Sequence, residues 1–243
     1  MRSIADTLAI FRSLPLATFQ TVLTGQRVLV LAPHPDDESL GCGGLIAAAC
    51  EQGVAPVVVV LTDGAASHPG SLQFPPARLR MVRAAETEQA MRELGLPPEH
   101  LVFLRHPDTK LPRSGIAFEA VCDQVHRIAV ASDCGVLLAP WHGDLHCDHR
   151  AAARIGAAVA ERLALRALSY PVWGWLRDNT ELVSENRTGG FRLDISAQLP
   201  AKRRAIAAHQ SQYGDLITDS PSGFRLPREL LDIFEKPFEV FIE

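Results

Sequence analysis

Two short stretches concentrate the side chains that can do chemistry. His34-Pro35-Asp36-Asp37-Glu38 sets an imidazole and carboxylates on a proline-held turn, and His146-Cys147-Asp148-His149 adds two imidazoles, a carboxylate and a thiol. A histidine and a carboxylate on one rigid turn can present a nitrogen and an oxygen to the same ion. A third ligand from another strand would leave a coordination position open for water, the arrangement of a catalytic rather than a structural zinc site. His146 or His149 can supply that third ligand. Donors of this N/O type suit Zn2+, and Fe2+, Co2+ or Mn2+ can occupy the same set. Asp36 and Asp37 are adjacent, so one can hold the ion while the other takes a proton from water that the ion has made more acidic.

The elements that must position these residues follow from hydrophobic pattern. Arg27 to Ala32 and Ala55 to Leu61 are short apolar runs suited to buried parallel strands, with a helix between them from Leu40 to Gln52 that stops at Gly53. The rhythm repeats with a helix over Ala77 to Leu94, a strand at Leu101 to Leu104, a helix from Gly115 to Ala131 and a strand at Gly135 to Ala139. A helix from Asp148 to Leu165 and a strand near Leu168 to Val172 complete it. The pattern predicts an α/β, Rossmann-like three-layer sandwich with a mostly parallel central sheet. Its ligands belong at the carboxyl ends of the strands, where both polar stretches fall. After Trp173 the rhythm weakens to a strand at Phe191 to Ile195, a helix from Pro200 to about Gln212 and a strand at Phe238 to Ile242. Residues 1–243 read as one domain, with 1–26 an N-terminal extension and 173–243 a part that caps the cleft. The Pro-rich loop His68 to Pro76 reads as a mobile rim of the site.

Composition excludes several classes. A net charge of −4 with no long block of like charge offers no footprint for nucleic acid. No run of about 18 apolar residues is present to span a bilayer, and Met1 to Gln26, interrupted by Asp6 and Arg12, does not read as a signal peptide. Five cysteines without a C-x-x-C pair argue against a disulfide framework and fit a reducing cytoplasm. The expectation is a soluble cytoplasmic protein acting on a small molecule, with a homo-oligomer left open.

The stretch from His34 to Glu38, followed by Ser39-Leu40-Gly41-Cys42-Gly43-Gly44, together with His146 to His149, resembles the PIG-L/LmbE family of zinc-dependent N-deacetylases. The similarity runs over much of Val28 to Arg154 and more faintly to His209-Gln210-Ser211-Gln212. It implies Zn2+ held by His34, Asp37 and His149, with Asp36 as general base. His146 then stabilises or protonates the developing intermediate, and Asp148 orients a neighbouring histidine. Arg83, with Arg80 as its competitor, and Asp108 match positions that hold sugar hydroxyls. The implied reaction removes an acetyl or other acyl group from the nitrogen of an amino sugar or glycoconjugate.

Blander readings stand beside these. Cys147 reads as filler, Asp63 as the closer of a Thr-Asp-Gly turn, and Glu38 equally as support for a histidine or as a first-turn carboxylate. Asp144 falls where substrate specificity is set and carries no assigned role. An amidase for a larger acyl or thiol-conjugate amide shares the same chemistry. A nucleotide-binding module that uses the Gly41-Cys42-Gly43-Gly44 loop is the alternative of another class.

Overall fold

Strand and helix alternate as the apolar pattern predicts, in a computed structural model that describes residues 1–23 and 25–243. The chain opens with β1 (Arg2–Ser3), α1 (Ile4–Ser13), β2 (Leu16–Ala17) and α2 (Phe19–Val22). The alternating part comprises β3 (Arg27–Ala32), α3 (Asp37–Glu51), β4 (Val57–Thr62), α4 (Pro76–Glu93), β5 (Leu101–His106), α5 (Gly115–Ala131), β6 (Cys134–Pro140), α6 (Cys147–Leu163) and β7 (Arg166–Tyr170). It closes with β8 (Leu182–Val183), β9 (Gly190–Asp194), α7 (Leu199–Ala208), α8 (Gln210–Tyr213), α9 (Arg228–Phe234) and β10 (Phe238–Ile242).

Eight strands form the main sheet in the order β2-β9-β10-β7-β6-β3-β4-β5. From β7 through β5 all neighbours are parallel, with Val30 opposite Val58 on one side and Leu138 on the other. Strand β10 runs antiparallel to both β7 and β9. The apolar runs are continuous because the sheet is covered on both faces. Val28, Val30 and Ala32 feed one core together with α1, α3 and α7, whereas Leu29 and Leu31 feed a second core beneath α5 and α6. From β3 the chain winds outward through β4 and β5, then returns to β6 and β7 on the other side. The order therefore reverses between β3 and β6, and a crevice opens at the carboxyl ends of those two strands. His34 follows β3, and His146 and His149 follow β6.

The N-terminal residues are built into this core. Ile4, Leu8 and Phe11 lie on one face of α1 and are buried, with Phe11 edge-on to Trp141 at 5.3 Å between ring centroids. Helix α3 approaches its neighbours closely because it carries glycines. A Cβ on Gly41 would stand 2.3 Å from the Tyr170 ring, and one on Gly44 would stand 2.4 Å from Ile195. That packing fills the space a phosphate would need, so the Gly41-Cys42-Gly43-Gly44 segment is a helix–core contact.

Two expectations need correction. The helix expected from Pro200 to Gln212 breaks at His209, whose ψ of 61° separates α7 from α8 and turns the buried imidazole toward Glu38. The loop His68 to Pro76 is fastened, not loose. Asp219 accepts from Ser71 Oγ at 2.6 Å and from the backbone amides of Leu72 and Gln73 at 2.8 and 2.9 Å, while Phe74 packs with Leu79 and Ile217. Asp219→Ala is therefore expected to let protease cut between Ser67 and Pro76 several-fold sooner while metal content stays unchanged. An unaltered cutting rate would show that the Phe74 cluster alone holds the loop.

Candidate active site

Strand β3 delivers His34 to the crevice, and the turn that follows forces Asp36 into an unusual backbone conformation with φ 137°. Aspartate tolerates positive φ better than most residues, yet such a position typically costs about 1–3 kcal/mol. Glu38 stabilises it: its Oε2 accepts the Asp36 amide at 3.0 Å, and its Oε1 faces His209 Nε2 at 3.2 Å. Glu38 thus does more than open a helix, since it joins the strained turn to the break at His209. On the far side, Asp36 Oδ2 meets Arg83 Nη2 at 3.1 Å.

Asp37 Oδ2 is the focus of the second half of the site. It lies 3.1 Å from His34 Nδ1 and 3.1 Å from His149 Nε2. Donor atoms around a tetrahedral zinc with bonds of about 2.0–2.1 Å stand about 3.3 Å apart, and each of these two contacts has the spacing of a pair of donors that could share one ion. Both ring nitrogens of His149 are buried without a hydrogen bond. The outward nitrogens of the two histidines also face carboxylates. His34 Nε2 is 3.2 Å from Asp108 and 3.3 Å from Asp148, and His149 Nδ1 is 3.5 Å from Asp144. Carboxylates behind imidazoles are the usual support of metal-ligating histidines.

His146 stands beside this triad, its ring centroid 4.5 Å from that of His34. Nitrogens of His34, His146 and His149 come within 4.8 Å of one another, so the three imidazoles also form a set that could hold an ion. Two features distinguish His146: it lacks a carboxylate behind it, and its Nδ1 accepts the Asp148 amide at 3.2 Å as the N-cap of α6. That bond leaves the proton on Nε2, where it can be donated.

The remaining residues fall out as follows. Arg83 and Asp108 both line the cleft but face inward. Arg83 donates to Gly64 O, Pro35 O and Asp36, and Gly64, at φ 63°, has no room for a Cβ beside that guanidinium. Asp108 accepts from the Ala66 amide and pairs with His34. Asp148 accepts the amides of Thr109 and Leu111, which presses it against His34. Asp144, assigned no role by sequence, accepts the amides of Val172 and Gly174 and backs His149. Asp63 closes the turn by accepting from Ala65. Cys147 is half-buried, with Sγ 3.9 Å from Thr109 O, and His142 contacts Arg187 and Ser184 instead of the cleft.

Electrostatics separates the groups in the metal-free protein. Burial pushes the Asp36 carboxyl up to about 7; Arg83 opposes the rise, and Asp37 adds to it. Burial would lower His149, but Asp37 and Asp144 outweigh it and raise the imidazole to about 9. His34 is likewise raised against burial, by Asp108, Asp148 and Asp37. His146 goes the other way, down to about 4, through burial and the neighbouring charges of His34 and His149. In that metal-free state it is neutral at pH 7, and its Nε2–H remains a donor.

The cleft above these groups encloses about 490 Å³ and reaches from His34, Asp36 and His146 to Trp173 and Phe224. The family model described as PIG-L, GlcNAc-PI de-N-acetylase, matches residues 29–160, more than half of the chain. This chain belongs to the PIG-L family. Among curated PIG-L relatives, a diacetylchitobiose deacetylase of Thermococcus kodakarensis is 27% identical over 198 residues, covering 77% of this chain and 70% of that protein. A probable N-acetyl-α-D-glucosaminyl L-malate deacetylase of Bacillus anthracis is 26% identical over 204 residues, covering 80% and 84%. The solved N,N′-diacetylchitobiose deacetylase of Pyrococcus horikoshii superposes with a TM-score of 0.66 at 19% identity, covering 100% of this chain and 94% of that one, and so shares its fold. No helix among the described residues is long and apolar enough to cross a membrane.

Proposed function

We propose that this PIG-L protein hydrolyses the acetamide of an N-acetylglucosamine-type amino sugar, with a divalent metal, best matched by Zn2+, held by His34, Asp37 and His149. The observation that carries the reading is the convergence of that triad with a second carboxylate, Asp36, kept beside it in a strained turn. Known relatives that are deacetylases of neutral and acidic glucosaminides support the reaction class. When bound, such an ion acts as a Lewis acid toward the amide carbonyl and its water.

The chain's own residues do the rest. Asp36 takes a proton from the attacking water, and Arg83 and the Glu38 contact keep its carboxylate aimed. His146 Nε2–H donates to the carbonyl oxygen as charge develops there. Water adds to the carbonyl carbon, the C–N bond breaks, and the amine leaves carrying a proton, with acetate as the other product. Asp144, Asp148 and Asp108 hold the imidazoles in place. Arg83 is accordingly a positioning residue for Asp36, not a grip on sugar hydroxyls. The test is to incubate zinc-loaded protein with N-acetylglucosamine glycosides and N,N′-diacetylchitobiose, following acetate and primary amine together. A fully metal-loaded protein that releases neither from the whole series would overturn the reading.

A further inference from the structure

We infer that the cleft selects a neutral substrate whose group attached to the amino sugar seats against Trp173 and Phe224. This deepens the deacetylase reading and rests on it for the orientation of the substrate. The cleft has two chemically different ends. Its ionisable residues, His34, Asp36, Asp37, Arg83, Asp108 and His146, gather at the reacting end, whereas the rest of the lining includes Ser67, Pro69, Leu145, Trp173, Ser222 and Phe224. Among the described residues that line that outer part, none carries a charge.

An anionic group on the substrate would therefore find no cationic side chain on that wall among the described residues. Arg83, the one arginine of the cleft lining among the described residues, is 3% exposed and directs its terminal nitrogens at Gly64, Pro35 and Asp36. Arg225, next to Phe224, is exposed and paired with Asp215. Asp36 lines the reacting end, and its carboxylate offers an anion no donor. Moving an anion from water into such surroundings without an opposing charge is costly.

The outer wall instead offers apolar surface. Trp173 and Phe224 meet edge to face, with centroids 5.3 Å apart and planes at 77°, and both remain partly exposed. Leu145, 44% exposed, stands on the same lining beside His146. A volume of about 490 Å³ lies within the range of about 300–1,000 Å³ that encloses a small ligand of more than one ring. A neutral ring, whether a second sugar presenting its C–H face or an aryl group, can shed water against such a wall at little polar cost.

The experiment uses three β-glycosides of N-acetylglucosamine on the zinc-loaded protein: methyl, phenyl and carboxymethyl. The kcat/KM of each is read from released amine, and the Kd of each by calorimetry. The phenyl glycoside is expected to exceed the methyl by about two- to tenfold. The carboxymethyl glycoside is expected to fall at least about tenfold below the methyl. In Trp173→Ala and in Phe224→Ala the phenyl-to-methyl ratio should drop to about one. A carboxymethyl glycoside that matches or exceeds the methyl, or a phenyl advantage that survives both substitutions, overturns the inference. Absence of amine from all three would overturn the deacetylase reading instead, and the order of the three Kd values would then decide the inference by itself.

Discussion

Asp36→Asn keeps the fold and the metal and loses nearly all deacetylase activity, by about 10²- to 10⁴-fold in kcat, the range that general acid–base catalysis contributes. Asparagine has the same shape, accepts positive φ as readily as aspartate, and leaves the Glu38 contact to its backbone amide intact. Arg83 retains its bonds to Pro35 and Gly64, so the guanidinium stays in place. What disappears is the carboxylate that accepts the water proton. In the metal-free protein that carboxyl titrates near 7 because it is buried, so below that pH it is protonated and cannot act as a base. A nearby dication moves the transition lower, and the acid limb of kcat/KM in the loaded protein should lie below 7. Metal content by elemental analysis and kcat by amine release distinguish the roles. Loss of metal equal to that in His149→Ala would show that Asp36 is a ligand.

The same turn illustrates how far sequence carries. The run from Arg27 to Ala32, ended by Pro33, predicts a buried strand, and the polar residues after it predict a site at its carboxyl end; both are observed because a covered parallel strand is apolar at every position. Helix α1 was not legible in the sequence, where 1–26 reads as an extension: Ile4, Leu8 and Phe11 follow i, i+4, i+7 spacing, but Asp6 and Arg12 on its solvent side interrupt the apolar pattern. The break at His209 was not legible. It depends on a long-range pairing of that imidazole with Glu38, which overrides the helical tendency of the surrounding segment. Asp144 carries no role in the sequence for a related reason. Sequence puts it on the cleft side of the β6–α6 loop, and only the amides of Val172 and Gly174, almost thirty residues onward, turn its carboxylate behind His149. Arg83 and Asp108 were identified as part of the site, yet their direction depends on which neighbour offers the better partner. Asp36 and the carbonyls of Pro35 and Gly64 draw Arg83 inward, and His34 does the same to Asp108.

Loading with zinc at pH 7 is expected to release at least about two protons per chain, two from the ligand imidazoles and a further fraction from Asp36, and His149→Ala is expected to weaken zinc binding by about 10²-fold or more. Burial alone would make both ligand imidazoles poor bases, but Asp37 with Asp144 raises His149 to about 9, and Asp108, Asp148 and Asp37 raise His34. Both are therefore cationic at pH 7 in the free protein, and each must give up a proton before its nitrogen can bind a metal. Apparent affinity should climb by up to about a hundredfold per pH unit while both protons must be displaced, and the His149 part of that climb should level off as pH passes through about 9. The sign follows from the raised pKa values: the contribution of His149 to the stability of the free protein is complete below about 6.5 and is lost as pH rises through about 9, and that of His34 is lost in the same direction. Zinc should thus raise Tm more at pH 9 than at pH 6. Calorimetry in buffers of different ionisation enthalpy counts the protons directly. In His149→Ala the carboxylates of Asp37 and Asp144 lose the imidazolium between them, so the variant should lose metal and fold less stably, the deficit being largest below about 6.5 and shrinking as pH rises through about 9. Zinc uptake without proton release would show that the imidazoles are neutral in the free protein. Full retention of zinc by His149→Ala would transfer the third ligand to His146, whose ring nitrogen is already within reach of the other two imidazoles.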